Sequence, residues 1–385
     1  MVGEQIFRPQ AALSALARRP EGAAAMALVG LRVAAVGGFV RDALIGREPR
    51  ELDLVVEGDP AEVARQLGGE VVRHPQFLAC HVSRDGWSIE VTGARTERYP
   101  RPGALPLVAP ASIEADLVRR DFTVNAIAVT LEGELIAPPG ALDDLAAGRL
   151  RVLHERSFVD DPTRALRLAR YRHRLDFEVD PWSASLAAAA DLDTVSGARI
   201  ATELRLIVLE RDPLGPLADL EGKLPIVVDR ALVDRALALA PADADRGLLI
   251  LAGVLRHGAP ADWIASLELT ARERDVILAA SAVERLAAAI EQAHSPSELR
   301  DVLSGAEPEL VALAGALGPA AGACEWLDEL RHVSLEIGGD DLLAAGIPAG
   351  PELGARLERT LRRKLDGQLA GGRDAELAYA LTELR

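Results

Sequence analysis

The chain contains very little lysine, cysteine and aromatic side chain. Of its 385 residues only two are lysine (Lys223 and Lys364) and two are cysteine (Cys80 and Cys324), and aromatic residues make up 3%. Two isolated cysteines exclude a disulfide framework and the closely spaced cysteines of a structural zinc site. The basic residues are therefore almost all arginine, a bias for which coding composition is a sufficient explanation.

Long apolar runs are also missing. The longest, around residues 248–255, is too short to cross a bilayer. Charged residues (Glu4, Arg8, Arg18 and Arg19) interrupt the N-terminus where the apolar part of a signal peptide would lie. Together with the cysteine usage, these absences predict a reduced, soluble, cytoplasmic protein.

Positive charge is scarce overall but concentrated in one segment. The formal net charge of −16 argues against general nucleic-acid binding. Residues 149–174, however, hold eight arginines against three acidic residues, a local net charge of +5 that leaves −21 for the rest of the chain. The sequence therefore allows RNA to bind in one positive cleft, with modest affinity and strong salt dependence.

Length and periodicity predict two kinds of structure in succession. A chain of 385 residues with 49% hydrophobic residues is expected to form two or more packed units. The β-prone runs that predict a small mixed sheet in an α/β region are 33–36, 52–56, 70–73, 78–83, 87–92 and 126–131. After residue 161 helical periodicity prevails, which predicts an all-α region. Residues 95–115, rich in Pro and Gly, are predicted to form a long loop.

The first candidate site motif combines a glycine turn with paired carboxylates. An apolar run enters Gly37-Gly38, and Arg41-Asp42 follow in a helix-compatible segment. Glycines let the backbone approach a phosphate, and the N–H groups at a helix start attract anions. Glu51 and Asp53 are predicted to lie two apart on one strand, so that their carboxylates share a face and converge on a cation. Phosphate cradle and carboxylates together are what metal-assisted nucleotidyl transfer requires.

Two further stretches carry arginine, acidic and amide side chains. The first is Arg119-Arg120-Asp121-Phe122-Thr123-Val124-Asn125-Ala126, and the second is Asp160-Asp161-Pro162-Thr163-Arg164 through Arg167 and Arg170. Arginine pairs bind phosphate in a bidentate way, and an asparagine amide bonds to a hydroxyl. A further carboxylate, Glu90, lies in the β-prone run 87–92 and is a candidate third metal ligand.

Each motif also has a plain structural explanation. A Gly-Gly pair is often only a turn, a Glu-x-Asp strand and an Arg-Arg-Asp run are often solvated surface, and Glu90 fits an outward strand position. Asp161 before Pro162 suits a helix start, with Asp161 as N-cap, Pro162 at the first helical position and Arg164 pairing with Asp161 one turn later.

In combination, these stretches resemble the tRNA nucleotidyltransferase/poly(A) polymerase family, in particular its bacterial class II CCA-adding members. That family reads G-G-x-V-R-D then D-x-D, R-R-D-F-T-x-N-A-x-A, and [ED]-D-P-x-R-x-L-R. Residues 196–204 resemble its S-x-x-R-I-x-x-E-L helix. One departure is Glu51, where the family has Asp. The resemblance covers residues 33–210 strongly and 335–380 thinly. The chain has no His-Asp dipeptide, so the phosphohydrolase domain of some members is not expected.

The resemblance implies a fold, a reaction and a set of roles. The expected parts are a helical lead-in (1–30), a nucleotidyltransferase head (31–153), a helical neck that reads the base (154–212), and a helical body and tail that bind tRNA (213–385). The implied reaction adds C and A to tRNA 3′ ends from CTP and ATP with two metal ions. Glu51 and Asp53 would bind Mg²⁺, with Glu90 as a third catalytic carboxylate. The implied nucleotide-binding residues are Gly37, Gly38, Arg41, Asp42, Arg120, Asp121, Asn125, Asp161, Arg164, Arg167 and Arg170.

Within that site, the resemblance implies that Arg120 contacts phosphate and Asn125 the sugar. Asp161 and Arg164 would read the base edge, because a carboxylate and a guanidinium match both cytosine and adenine. Two alternatives stay open within the fold, an A-only tRNA enzyme and a poly(A) polymerase. A third, a non-catalytic protein that binds RNA or nucleotides, is suggested by Glu51 and by the acidic surface.

Overall fold

The structure is a computed structural model that describes residues 7–382. Residues 1–6 of the predicted lead-in, including Glu4, and residues 383–385 of the predicted tail lie outside the described residues. The chain divides into two compact units between Pro216 and Leu217. The finer four-part division stays a prediction.

The first unit contains a mixed β-sheet, as the sequence predicts. The strands described are β1 Arg32–Val36, β2 Asp53–Glu57, β3 Glu70–His74, β4 Ala79–Arg84, β5 Trp87–Gly93, β6 Arg95–Arg98, β7 Leu107–Pro110, β8 Ala128–Thr130, β9 Leu135–Ile136, β10 Arg149–Leu150 and β11 Glu178–Val179. Seven of them form one sheet in the order β3-β4-β5-β2-β1-β8-β9. Strands β2 and β5 are parallel, and the other neighbours are antiparallel.

The helices of the first unit cover this sheet and continue the chain beyond it. They are α1 Gln10–Ala17, α2 Pro20–Met26, α3 Gly38–Leu44, α4 Pro60–Leu67, α5 Ile113–Leu117, α6 Ala141–Ala146, α7 Ser157–Asp160, α8 Thr163–Leu175, α9 Pro181–Ala188 and α10 Gly197–Val208. Helix α11, Leu214–Asp219, crosses the division between the units.

Alternation along the central strands explains why helices lie on both faces of the sheet. On one face Val33, Leu54 and Val56 belong to a core cluster that includes residues of α1, α3 and α4. On the other face, Val36 and Val55 pack in a second cluster with residues of α5. Side chains two apart on a strand share a face, so Asp53 faces the α5 side together with Val55.

Strand register brings the candidate motifs to one edge of the sheet. Val36, the last residue of β1, pairs with Asp53 on one side and with Ala128 on the other. Gly37 follows directly, and its N–H donates to the carbonyl of Ile127 at 3.0 Å. The glycine turn, the start of β2 and the segment before β8 therefore meet where β1 ends.

The segment 95–115 corrects the sequence-based prediction of a loop. Strands β6 and β7 form an antiparallel hairpin in which Arg95 pairs with Pro110 and Arg98 with Leu107. The Pro and Gly residues that suggested a loop lie mostly in the turn between these strands. The hairpin tip contacts the neck region, because the Arg199 guanidinium donates to the carbonyl of Gly103 at 3.0 Å.

The second unit is helical throughout its described elements. These are α12 Arg230–Leu239, α13 Arg246–Leu255, α14 Ala261–Ser266, α15 Ala271–Ala279, α16 Val283–Gln292, α17 Pro296–Leu303, α18 Pro308–Ala316, α19 Ala320–Asp328, α20 Gly339–Ala344, α21 Pro351–Leu365 and α22 Gly372–Ala380. The fold class predicted from the sequence, an α/β head followed by an all-α region, is confirmed. Between residues 7 and 382, no helix combines the length and the apolar character needed to span a membrane.

The hairpin tip generates a stability prediction. Gly103 has φ +68°, and a Cβ there would lie 2.4 Å from the Thr194 carbonyl oxygen. Gly103→Ala should therefore lower the free energy of unfolding by more than the ~1 kcal/mol typical of a left-handed backbone alone, because the backbone at Thr194 must also move. Gly86→Ala is the matched control, since Gly86 has φ +83° and a Cβ added there would meet no atom within 4 Å. Urea denaturation measures both; equal losses of unfolding free energy would contradict the contact.

Candidate nucleotide-binding site

A polar cavity of about 340 Å³ opens at the sheet edge where β1 ends. The residues that line it are Gly37, Gly38, Asp53, Phe77, Arg95, Glu97, Tyr99, Pro106, Arg119, Arg120, Asp121, Asn125, Asp161, Arg164, Arg167 and Tyr171. Nine of the predicted site residues are among them. The other five, Arg41, Asp42, Glu51, Glu90 and Arg170, are not.

The glycine turn forms one wall of the cavity. Gly37 has φ +74°, a conformation in which only glycine is unstrained, and it precedes the first residue of α3. A Cβ at Gly37 would lie 3.5 Å from Nη1 of Arg120. The turn therefore places backbone N–H groups at the start of α3 beside a guanidinium, an arrangement suited to an anion.

Asp53 lies at the first position of β2 and lines the same cavity. Burial raises its pKa to about 6, Arg120 opposes that rise, and the negative charges of Glu51 and Glu90 add to it. Because burial is the main cause of the raised pKa, the charged form of the Asp53 carboxylate lacks the solvation that water would give it. A divalent cation would stabilise that charged form, and carboxylate oxygens are the ligands that such hard cations prefer.

The predicted strand position of Glu51 is wrong. Strand β2 begins at Asp53, which pairs with Val36 of β1 on one side and with Glu90 of β5 on the other, and neither register includes Glu51. Glu51 is exposed in the segment that precedes the strand. It still acts on Asp53, whose pKa its charge raises.

Glu90 lies on β5 directly opposite Asp53, as the prediction of a strand at 87–92 requires. Its Oε2 is 3.4 Å from Nδ1 of His81 on β4. Within residues 7–382, no three His, Cys, Asp or Glu side chains are grouped so as to hold a metal ion. The carboxylates present therefore fit a cation that is held by one or two of them and whose coordination is completed by substrate phosphates. The role of Glu90 as a third ligand stays a prediction.

Buried Asp116, at the end of α5, holds two cavity arginines. Its Oδ1 accepts from Nη2 of Arg119 at 2.7 Å, and its Oδ2 accepts from Nη2 of Arg120 at 2.9 Å. Asp116 also accepts the backbone N–H of Arg95. Burial alone would raise the pKa of Asp116, but the charges of Arg120 and Arg119 outweigh it and lower the pKa. The carboxylate therefore stays ionised and fixes both guanidinium groups at the cavity wall.

Asp121 organises the opposite side of the cavity. Its Oδ2 accepts from Nε and Nη2 of Arg167, at 2.8 and 2.6 Å, and its Oδ1 accepts from Nδ2 of Asn125 at 3.0 Å. Burial would raise the pKa of Asp121, yet Arg167 and the other donors hold it at about 2. Asn125 in turn accepts a hydrogen bond from Arg41.

Asp161 and Arg164 line the cavity at the start of α8 but do not pair as the structural explanation expected. Helix α8 begins at Thr163, and Asp161 Oδ1 accepts from the Thr163 N–H at 3.1 Å and from Arg199 at 2.6 Å. Arg164 instead donates to Ser157 Oγ and to the Arg119 carbonyl. Both side chains are therefore oriented by other groups.

Arg41, Asp42 and Arg170 lie behind the cavity wall. They are 0%, 4% and 5% exposed, and none of them is among the residues that line the cavity. Arg41 donates to Asp42, and the guanidinium groups of Arg41 and Arg170 lie 5.4 and 4.8 Å from the ring centre of Tyr171. These residues support the cavity, and Tyr171 is itself part of the lining.

The hairpin supplies cavity residues that sequence reasoning missed. Arg95, Glu97 and Tyr99, at alternate positions from β6 onward, line the cavity. The Tyr99 hydroxyl donates to Glu97 at 2.7 Å, and burial followed by the charge of Glu97 raises the pKa of Tyr99, which keeps the phenol protonated. The signal was the alternation itself in Arg95–Tyr99, which the Pro- and Gly-rich turn obscured.

The network around Asp116 generates a prediction. Asp116→Ala should lower the free energy of unfolding by about 3 kcal/mol, because it leaves the largely buried guanidinium of Arg120 without its carboxylate and that of Arg119 with Glu97 alone. Glu114→Ala is the matched control in the same helix, where the Glu114 side chain is 51% exposed and pairs with Arg32; it should cost under about 1 kcal/mol. Urea denaturation measures both, and similar losses would contradict the role of Asp116.

Comparison with known proteins places this geometry in a family. Residues 33–151 match the Poly A polymerase head domain. The A-adding tRNA nucleotidyltransferase of Geobacter sulfurreducens is 33% identical over 91% of this chain and 45% of its own length. The chain spans about half the length, or less, of the curated relatives that it matches.

Solved structures match along nearly the whole chain. A CCA-adding enzyme in its apo form II superposes with a TM-score of 0.75 at 28% identity, covering 90% of both chains. The Thermotoga maritima CCA-adding enzyme in complex with tRNA gives a TM-score of 0.71 at 27% identity, covering 91% of both. The head-domain match, the curated relative and these structures agree with the motifs that converge on the cavity, and residues 33–151 belong to the tRNA nucleotidyltransferase/poly(A) polymerase family as its head domain.

Proposed function

We propose that the protein transfers AMP from ATP to the 3′ end of a tRNA without a nucleic-acid template. The 3′-hydroxyl would attack the α-phosphate of ATP, and pyrophosphate would leave. The observation that carries the proposal is one cavity lined at once by the glycine turn, by Asp53 and by the side chains of Asp161 and Arg164. A phosphate cradle, a cation-binding carboxylate and a base-facing pair are the three parts that such a reaction needs. The A-adding relative and the CCA-adding structures support it.

At the phosphate end, the turn at Gly37 and the guanidinium of Arg120 would hold the triphosphate. Arg120 is already oriented by Asp116, with donor–acceptor distances of 3.2 and 2.9 Å. An arginine held in place before the substrate arrives loses little conformational freedom on binding and stabilises phosphate charge through fixed electrostatics.

At the reacting centre, Asp53 and Glu51 would hold a divalent cation, which we propose to be Mg²⁺. When bound, the cation supplies Lewis-acid stabilisation of the phosphate charge and activation of the attacking 3′-hydroxyl. Asp53 would offer the cation a carboxylate that is poorly solvated, at the end of β1 and on the α5 side of the sheet.

At the base end, Asp161 and Arg164 would read the nucleotide. In the described hydrogen bonds of Asp161, Oδ1 accepts from Thr163 and Arg199. Its other oxygen, Oδ2, would accept a hydrogen bond from the base. The exocyclic amine of adenine or cytosine donates to a carboxylate, whereas uracil and guanine present the reversed pattern at that edge. Protein groups can thereby replace a template.

Full CCA addition is the second candidate, favoured by the likeness to CCA-adding enzymes over 90% of both chains. A-only addition is favoured by the A-adding relative at 33% identity. Both require AMP transfer. In either case, the helical unit after Leu217 would bind the body of the tRNA.

The direct test supplies purified protein with Mg²⁺, radiolabelled ATP or CTP, and tRNAs that lack one or three terminal nucleotides. We expect AMP incorporation into tRNA ending in CC within minutes. CMP incorporation into the shorter tRNA indicates full CCA addition, and its absence indicates A-only addition. A long homopolymeric tail would identify a poly(A) polymerase. No incorporation of either nucleotide would reject the reaction in favour of binding alone.

Asp53→Ala should lower the incorporation rate by at least about a hundredfold, because it removes the carboxylate proposed to bind the cation. The fold should survive, since Asp53 lies at the end of its strand. Glu70→Ala is the matched control, an exposed carboxylate on the outer strand of the same sheet, and should keep the normal rate. Glu51→Asp should stay active, and a rise in its rate would mark Glu51 as a poorly fitting ligand. A near-normal rate for Asp53→Ala would overturn the assignment.

A further inference from the structure

Three arginines surround the ring of Tyr171. The guanidinium carbons of Arg41, Arg167 and Arg170 lie 5.4, 5.7 and 4.8 Å from the centre of that ring. A guanidinium within about 6 Å of an aromatic ring is attracted by the negative charge of its π face. Because Tyr171 also lines the cavity, one ring is the shared partner of three cations at the candidate site.

The three arginines come from two different parts of that site. Arg41 lies in α3, the helix that begins at the glycine turn, whereas Arg167 and Arg170 lie in α8 together with Tyr171 itself. Arg167 precedes Tyr171 by four residues, a spacing that places two side chains on one face of a helix. The ring therefore connects the helix of the glycine turn with an arginine of the cavity lining.

Carboxylates pair with these arginines but do not occupy all of their N–H groups. The pairs are Arg41–Asp42, Arg167–Asp121 and Arg170–Glu203. Within residues 7–382, no group accepts a hydrogen bond from the buried atoms Nη2 of Arg41 and Nε of Arg170. Nη2 of Arg41 lies 2.7 Å from Oδ1 of Asp42, but outside hydrogen-bonding geometry. An aromatic π face is an acceptor for such N–H groups, and the ring of Tyr171 supplies one.

The position of the ring is fixed from another direction as well. Phe122 is fully buried and meets Tyr171 edge to face, with ring centres 6.0 Å apart and an angle of 83° between the ring planes. This is a favourable arrangement of two aromatic quadrupoles. All of these contacts belong to the ring of Tyr171, so a phenylalanine in its place would keep them.

A plainer role for Tyr171 is to fill space between α3 and α8, since it packs against the main core cluster. An aliphatic side chain of similar size would fill the same space. It would, however, offer no π face to the buried guanidinium groups, whose polar atoms are costly to bury without a partner. The two roles therefore differ in whether the electron density of the ring matters.

We infer that Tyr171 is a positioning residue for nucleotide binding, whose π face holds Arg41 and Arg167 in place and so links the glycine turn to the α8 side of the cavity. Tyr171 acts through these arginines. The inference rests on the proposed function for its ligand, ATP.

The test changes the electron density of the ring and keeps its shape. Tyr171→Phe is compared with variants that carry, at the same position, phenylalanine with one, two or three ring fluorines, which withdraw electrons from the π face. Tyr171→Phe should keep the Kd for ATP within about twofold of the wild-type value. Added fluorines should then raise this Kd stepwise, to about tenfold at three fluorines. A Kd that stays constant along the series would overturn the inference.

Inorganic triphosphate, which has no base, separates action through the arginines from direct stacking on adenine. Support of the glycine turn through Arg41 should raise the Kd for inorganic triphosphate along the same series. A rise for ATP alone would assign Tyr171 a contact with the base and reject the inference. The matched control is Tyr379 in α22, whose ring centre lies 5.2 and 5.0 Å from the guanidinium carbons of Arg359 and Arg363. The same fluorinated series at Tyr379 should leave both Kd values unchanged.

Binding is measured with Mg²⁺ and without tRNA, and thermal unfolding of each variant reports whether it is folded at the assay temperature. A loss of ATP binding already in folded Tyr171→Phe would assign the effect to the hydroxyl and reject the inference. If wild-type protein binds ATP but transfers no AMP to tRNA ending in CC, the proposed function fails while the Kd series still tests Tyr171. If it binds neither ATP nor inorganic triphosphate, both proposals fail.

Discussion

The candidate site depends on where one strand stops. Val36 is paired on both sides, with Asp53 and Ala128, and the chain then turns at Gly37. Because that turn adopts a left-handed conformation, the backbone leaves the sheet at once and α3 starts over the same edge. A carboxylate, a glycine turn and the segment that carries Asn125 are thereby brought together by backbone hydrogen bonds rather than by contacts among the polar groups themselves.

Buried acidic side chains fix the positions of the arginines in and behind the cavity wall. Asp116, Asp121 and Glu203 are 0%, 6% and 6% exposed, and each accepts hydrogen bonds from at least one arginine at or behind the cavity wall. A cluster of guanidinium groups would otherwise repel itself, and long side chains would lose conformational entropy when ordered. Pairing most of these arginines with a fixed carboxylate makes the cavity wall rigid, and five arginines line it against four acidic residues. An acidic protein can present such a cavity because its excess negative charge lies elsewhere.

The local patterns predicted much of this arrangement, and the failures have physical causes. The β-prone runs matched the strands because alternation and β-branched residues report pairing directly. Glu51 was predicted to lie on a strand because the local sequence permits a strand there. Pairing with the neighbouring strands, which a local pattern does not contain, starts only at Asp53. Arg41 and Arg170 look like ligands in a motif, but whether an arginine faces a cavity or the core depends on packing against Tyr171, which no short pattern contains. The hairpin was missed because its Pro- and Gly-rich turn dominates the composition of a segment whose ends pair regularly.

One guanidinium joins the hairpin to a carboxylate of the cavity wall. Arg199 donates to the carbonyl of Gly103 and to Asp161. The turn between the two hairpin strands consequently has a fixed span, set by the distance between the sheet edge and α10. Adding or removing a residue there would shift Arg199 and rotate Asp161, so the length of a surface turn sets the orientation of a carboxylate in the cavity wall.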